Sequence, residues 1–148
     1  MKFRLLTIIF LIFQLSASAQ VEDSVKTAVN NLFQAMKNAD SVALVPCFSA
    51  DAILQTIAVR KTETSVENET VSSFASFLNS QETGWLDERI KFETIKIDGD
   101  LASVWTPYQF YYKGSFSHCG VNSFQLVRIN NIWKIQYLID TRRKTDCK

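Results

Sequence analysis

The sequence predicts an α+β domain in which about three helices from the N-terminal half pack on a curved antiparallel sheet. Three observations carry this. Apolar residues recur at helical spacing through 22–39 and again through 70–78. From Glu88 onward the chain is rich in β-branched and aromatic residues, broken by turn signals at Asp98-Gly99-Asp100, Gly114 and Asn130-Asn131. The helical stretches come early and the strands late, which is the order of an α+β fold and not of repeated βαβ units.

Each element can be read in turn. Val25, Ala28, Val29, Leu32, Phe33 and Met36 form one apolar stripe, so 22–39 is an amphipathic helix ending at Asn38-Ala39-Asp40. Asp40 or Ser41 can accept a backbone N–H to start a short second helix over 41–48, which Pro46 should kink or stop. Ala52 to Val59 and Lys61 to Glu69 read as a hairpin. Val71, Phe74, Phe77 and Leu78 mark the third helix. Gln81 to Asp87 is a loop, and its Trp85 is either a lid over a pocket mouth or the edge of an interface. A four-strand antiparallel meander follows, starting with Ile90, Phe92, Ile95 and Ile97 in one strand.

The N-terminus bounds the compartment. Lys2 and Arg4 precede an apolar run, Leu5 to Leu15, interrupted only by Thr7 and Gln14. Ser16-Ala17-Ser18-Ala19 supplies the small residues of a cleavage site, so 1–19 reads as a secretory signal peptide cut after Ala19. The run is shorter than the roughly 20 residues that span a bilayer. Residues 20–148 are then one exported domain, periplasmic or extracellular, with no membrane attachment after cleavage. Without Lys2 and Arg4, the balance of 16 basic and 15 acidic residues becomes one net negative charge, which gives no electrostatic case for nucleic acid. The basic cluster of Arg142, Arg143, Lys144 and Lys148 reads as a solvated tail. Of the three cysteines, Cys119–Cys147 is the disulfide to test first, and Cys47 packs as a small apolar residue. One histidine and no metal-ligand spacing argue against a metal site, and no cofactor is implied.

A register follows if Asn130-Asn131 is a two-residue turn, for Ile129 then opposes Ile132. Phe124 would face Tyr137, Leu126 would face Ile135 and Arg128 would face Trp133, on the apolar side that the helices cover. His118 falls on the same inner side, opposite Arg143, provided no bulge intervenes. Cys119 points to the other side, so strand geometry argues against a Cys–His dyad from these two neighbours. Trp105 and Tyr111 share the side opposite Tyr108 and Phe110.

Several stretches resemble the nuclear transport factor 2-like superfamily. The first is Ala35 to Leu54, with a small-residue–Asp step and then Phe48-x-x-Asp51-Ala52 entering the first strand. The others are Ala102 to Tyr112 and His118 to Arg143, the latter containing Trp133-Lys134-Ile135. With the element order, the likeness spans essentially all of 20–148, and small secreted proteins of the lumazine-binding type are the nearest in kind. The resemblance implies a cystatin-like cone, with a pocket between the first helix and the concave sheet. It also implies a homodimer through the outer sheet face. It does not imply one activity, because this fold serves binders, isomerases, dehydratases and cyclases alike.

The residues choose among these only in part. Steroid isomerase-like relatives place a base aspartate where this chain has Gln55 and Thr56, neither of which can act as a carboxylate. Dehydratase-like relatives use a His–Asp pair. His118 is the best catalytic candidate, but the register above puts Asp140 on the far side of the sheet. The reading is therefore an exported binder of a small, partly apolar molecule held by His118, Tyr108, Phe110, Phe124 and Tyr137. The alternatives are an isomerase, dehydratase or cyclase using the same pocket, and a dimeric interaction module whose cavity is vestigial.

Overall fold

The computed structural model describes residues 19–60 and 63–147, together with the backbone alone of 2–18. Of the expected signal peptide, Met1 and the side chains of 2–18 lie outside the described residues, as do Lys61 and Thr62 in the first hairpin. The first helix, α1, spans Lys2–Asn38 and buries Val25, Val29, Leu32, Ala35 and Met36, the stripe that the spacing predicts. It ends where Ala39 takes φ +55° and the Asp40 N–H donates back to the Ala35 carbonyl at 2.9 Å. The Asp40 carboxylate then accepts from the Ala43 N–H at 2.8 Å and caps α2, Ser41–Leu44. Pro46 has no N–H with which to continue an α-helix, and the chain tightens into a 3₁₀ turn over Val45–Cys47.

β1 (Phe48–Arg60) and β2 (Glu63–Glu69) form the first hairpin. Thr70 accepts the Ser73 N–H at 3.0 Å and opens α3, Val71–Leu78. The strands that follow are β3 (Leu86–Ile90), β4 (Thr94–Asp98), β5 (Leu101–Tyr112), β6 (Ser115–Ile129) and β7 (Ile132–Arg143). They form one curved sheet in the order β2-β1-β7-β6-β5-β3, with β4 also on β5. The core lies between this sheet and the helices and includes Leu32, Leu44, Leu78, Phe124, Leu126 and Ile135.

The structure corrects three expectations. The sheet is mixed and not wholly antiparallel, because β1 runs parallel to β7. The single strand expected over 90–97 is two, β3 and β4, side by side along β5. Ile90 pairs Tyr108 and Thr94 pairs Trp105, so residues 91–93 cross a shorter stretch of β5 containing Pro107, which has no N–H to offer the ladder. The Lys91 and Glu93 N–H groups bond Pro107 and Trp105 carbonyls there instead, at 2.9 and 3.1 Å.

The third correction concerns register. Ile129 opposes Ile132, Arg128 opposes Trp133 and Leu126 opposes Ile135, as expected. Gln136 is then an extra residue on β7, and Phe124 faces Leu138 in place of Tyr137. The cause lies across the parallel pair, where β1 is irregular between Phe48 and Ile53. Gln136 fills that gap: its amide accepts from Ser49 Oγ at 2.8 Å and donates to the Asp51 carbonyl at 3.1 Å. Beyond Gln136 every β7 side chain changes sides. Leu138, Asp140 and Arg142 turn inward, and Tyr137 turns away. Cys119 and Cys147 are joined in a disulfide with Cα atoms 5.7 Å apart, and Cys47 is free.

Candidate functional site

The helices and sheet enclose a cavity of about 370 Å³. Leu32, Phe33 and Met36 from α1 and Phe74 and Phe77 from α3 form its apolar upper wall. Strand alternation builds the floor. Glu88 projects inward from β3 between Leu86 and Ile90, opposite Phe110. Tyr108, Phe110 and Tyr112 come from β5, His118 and Asn122 from β6, Asp140 and Arg142 from β7, and Thr56 from β1.

Asp140 organises one half of this floor. Its carboxylate accepts from Thr56 Oγ1 at 2.5 Å and from Arg142 Nε at 2.9 Å. Arg142 Nη2 also donates to Thr56 Oγ1 at 3.0 Å. The Tyr108 hydroxyl donates chiefly to the Thr141 carbonyl at 2.9 Å, with a longer approach of 3.3 Å to Asp140. Burial, and then the neighbouring Asp140 charge, push the Tyr108 phenol well above its ordinary value, so it stays protonated and donating. Tyr108 reaches across the sheet only because residue 120 is glycine. A Cβ there would stand 1.7 Å from the Thr141 carbonyl oxygen and 2.8 Å from Tyr108 Cε1.

Glu88 and Asn122 make the other half. Asn122 Nδ2 donates to Glu88 Oε1 at 2.7 Å, the one hydrogen bond that carboxyl receives among the described residues. Burial raises Glu88 to about 7, with the nearby Asp140 charge acting in the same direction. Beside this pair, Thr106 is fully buried opposite Asn122, and its hydroxyl has no partner among the described residues.

His118 lies at one side of the floor. Its ring is 5.7 Å from Tyr108 in a T-shaped contact and 5.0 Å from Phe110, and Nδ1 lies 3.1 Å from Ser117 Oγ. Burial, followed by the Arg142 charge, lowers its pKa, so the imidazole is neutral near pH 7. Asp140 shares this face after all, yet its hydrogen bonds come from Thr56, Tyr108 and Arg142. Among the described residues His118 has no carboxylate partner.

Of the residues singled out from sequence, His118, Tyr108 and Phe110 line the cavity. Phe124 does not: it is fully buried in the core between sheet and helices, edge-on to Phe33 at 6.1 Å. Tyr137 does not either, because the Gln136 bulge turns it to the other side, where its hydroxyl donates to Gln55 Oε1 at 2.6 Å. Gln55 and Thr56, at the position of the family's base, both reach the lining. Trp85 lies outside it. Trp85 packs against Tyr112 with Lys113 Nζ 3.5 Å above its ring, and the Lys113 N–H bonds its carbonyl at 2.9 Å. Sequence reading passed over Glu88 and Asn122, and its reading of Arg142 as part of a solvated tail is corrected: Arg142 belongs to β7, turns into the cavity and bonds Asp140 and Thr56. The one signal for Glu88 was its inward phase in Leu86-x-Glu88-x-Ile90, a carboxylate where an apolar residue is the rule. Among the described residues no three His, Cys, Asp or Glu side chains are grouped to hold a metal ion.

No family model and no curated protein matches the chain. Solved structures do. An NTF2-like (nuclear transport factor 2-like) protein of unknown function from Shewanella baltica superposes with a TM-score of 0.67 at 15% identity, over 86% of this chain and 97% of its own. An NTF2-like protein with a cystatin-like fold from Novosphingobium aromaticivorans gives 0.66 at 12% identity, over 89% and 90%. One from Cytophaga hutchinsonii gives 0.64 at 16%, over 82% and 98%. Identities this low speak for architecture alone: three helices on a curved, mixed seven-stranded sheet, the cystatin-like fold of NTF2-like proteins.

Proposed function

We propose that this chain is an exported protein that binds one small, partly apolar molecule in the cone. The observation that carries the reading is the cavity itself. At about 370 Å³ it falls within the range of small-molecule sites, and it joins an aromatic wall to a few convergent polar groups. A vestigial cavity in an interaction module would be smaller and would not hold two hydrogen-bonded networks on one floor. The resemblance to lumazine-binding proteins makes a fused heterocycle one candidate occupant. The Cys119–Cys147 disulfide supports the exported setting, because such bonds persist in oxidising compartments. Trp105 and Phe116, 45% and 46% exposed on the sheet face away from the helices, support self-association there.

One observation favours a second reading, an isomerase-, dehydratase- or cyclase-type enzyme. A cavity carboxyl that titrates near 7 is poised to exchange protons at neutral pH. Native mass spectrometry of the protein purified from its own host tests the first reading. The expected spectrum carries a retained small molecule, released by denaturation, on a dimer. A bare monomer whose cavity takes up no aromatic probe in solution would overturn it.

A further inference from the structure

We propose that the occupant carries a protonated amine or amidinium group that docks against Glu88. This rests on the cavity being a ligand site and adds the chemical class of the ligand. The Glu88 carboxyl faces the cavity with Asn122 as its one hydrogen-bond donor, and among the described residues no cation pairs with it. Arg142 is the cation in the lining, and it is already committed to Asp140 and Thr56 at 2.9 and 3.0 Å.

The groups facing Glu88 from each neighbouring element leave the same vacancy. β2 brings Glu69 and β7 brings Asp140 with Arg142. β5 brings the protonated Tyr108 phenol, and β6 brings the neutral His118 imidazole. The lining contributed by α1 and α3 is apolar. Among the described residues carboxyls thus outnumber cations around the cavity, and an anionic ligand would find no free positive partner there. A ligand cation supplies the missing charge to Glu88 and meets an aromatic wall that also favours it. A buried carboxyl without a counter-charge tends to hold its proton, as the raised titration of Glu88 reflects. Docking the cation stabilises the carboxylate, so binding on the acid side of its midpoint expels a proton.

Calorimetric titration of the whole chain with naphthylmethylamine and its uncharged isostere naphthylmethanol, from pH 5 to pH 8, tests this. The amine should bind more tightly. Its affinity should rise about tenfold per pH unit up to the Glu88 midpoint and flatten above it, while the alcohol's stays level. Titrations at pH 6 in two buffers of different ionisation enthalpy should show about one proton released with the amine and none with the alcohol, which tests the wild-type chain without a variant. Glu88→Gln should abolish the slope for the amine. If the alcohol binds and the amine binds no better at pH 8, the cationic ligand is overturned and the cavity reading survives. A slope that persists in Glu88→Gln overturns the role of Glu88. Failure of both probes to bind overturns both readings.

Discussion

Among single residues, Glu88 carries the largest consequence. Its folded-state value near 7 stands above the 4.5 of an ordinary glutamate, so between these values the native state holds a proton that the unfolded chain releases. The stability this gives is complete below about pH 4.5 and is lost as pH rises through 7. At 1.36 kcal/mol per unit the loss is about 3 kcal/mol. Glu88→Gln has nothing to ionise. Its melting temperature should match wild type at pH 4.5 and exceed it by several degrees at pH 8, as read by thermal scans across that range. Equal pH profiles for the two proteins would count against an enclosed, unpaired carboxyl. His118 has the opposite character: burial and Arg142 keep it neutral, and its contacts are rings and one hydroxyl, so it lines the cavity without a group to orient it as a base.

For whole elements, legibility in the sequence tracked how local the cause was. The α1 stripe, the Asp40 cap, the Pro46 stop and the Asn130-Asn131 turn depend on neighbours within a few residues, and each could be read off the chain. The β7 part of the cavity floor could not. Asp140 and Arg142 turn inward because Gln136 is an extra residue on β7, held by Ser49 and Asp51 of a strand more than eighty residues earlier. No local pattern marks such a partner, so Asp140 reads as outward and Tyr137 as inward. Pro107 is intermediate: a proline within a strand pattern signals trouble, but only the structure shows β3 and β4 sharing that edge. β6 yields the clearest prediction at this scale. Gly120 lets Tyr108 cross to the Thr141 carbonyl, and a methyl there meets backbone that cannot move aside. Gly120→Ala should cost about 1–3 kcal/mol, as overpacking does. Urea unfolding measures that loss. A nearby control such as Gly114→Ala, at φ +79° but with nothing near its added Cβ, separates crowding from backbone strain.

In the molecule as a whole, the disulfide and the parallel pair both act beside the C-terminal end of β7. Cys119–Cys147 spans 28 residues and ties the C-terminal tail back to β6. Closing a loop of that length restricts the unfolded chain by about 3.5 kcal/mol. Cys147→Ser should lower the unfolding free energy by that amount in denaturant titrations. A reductant should lower wild type equally and leave the variant unmoved. The parallel pair has a temporal consequence. β7 lies between β1 and β6, and Thr56 and Asp140, which bond across it, are separated by 84 positions. A chain emerging from the ribosome can pair β1 with β2 and β5 with β6 while the place between β1 and β6 stands open. Contacts of such long range are slow to form. Whatever the cavity binds, its Asp140–Arg142 floor is absent until the 12 residues of β7 slot into place. A prematurely terminated product would keep most of the aromatic wall and lose the charges that organise it.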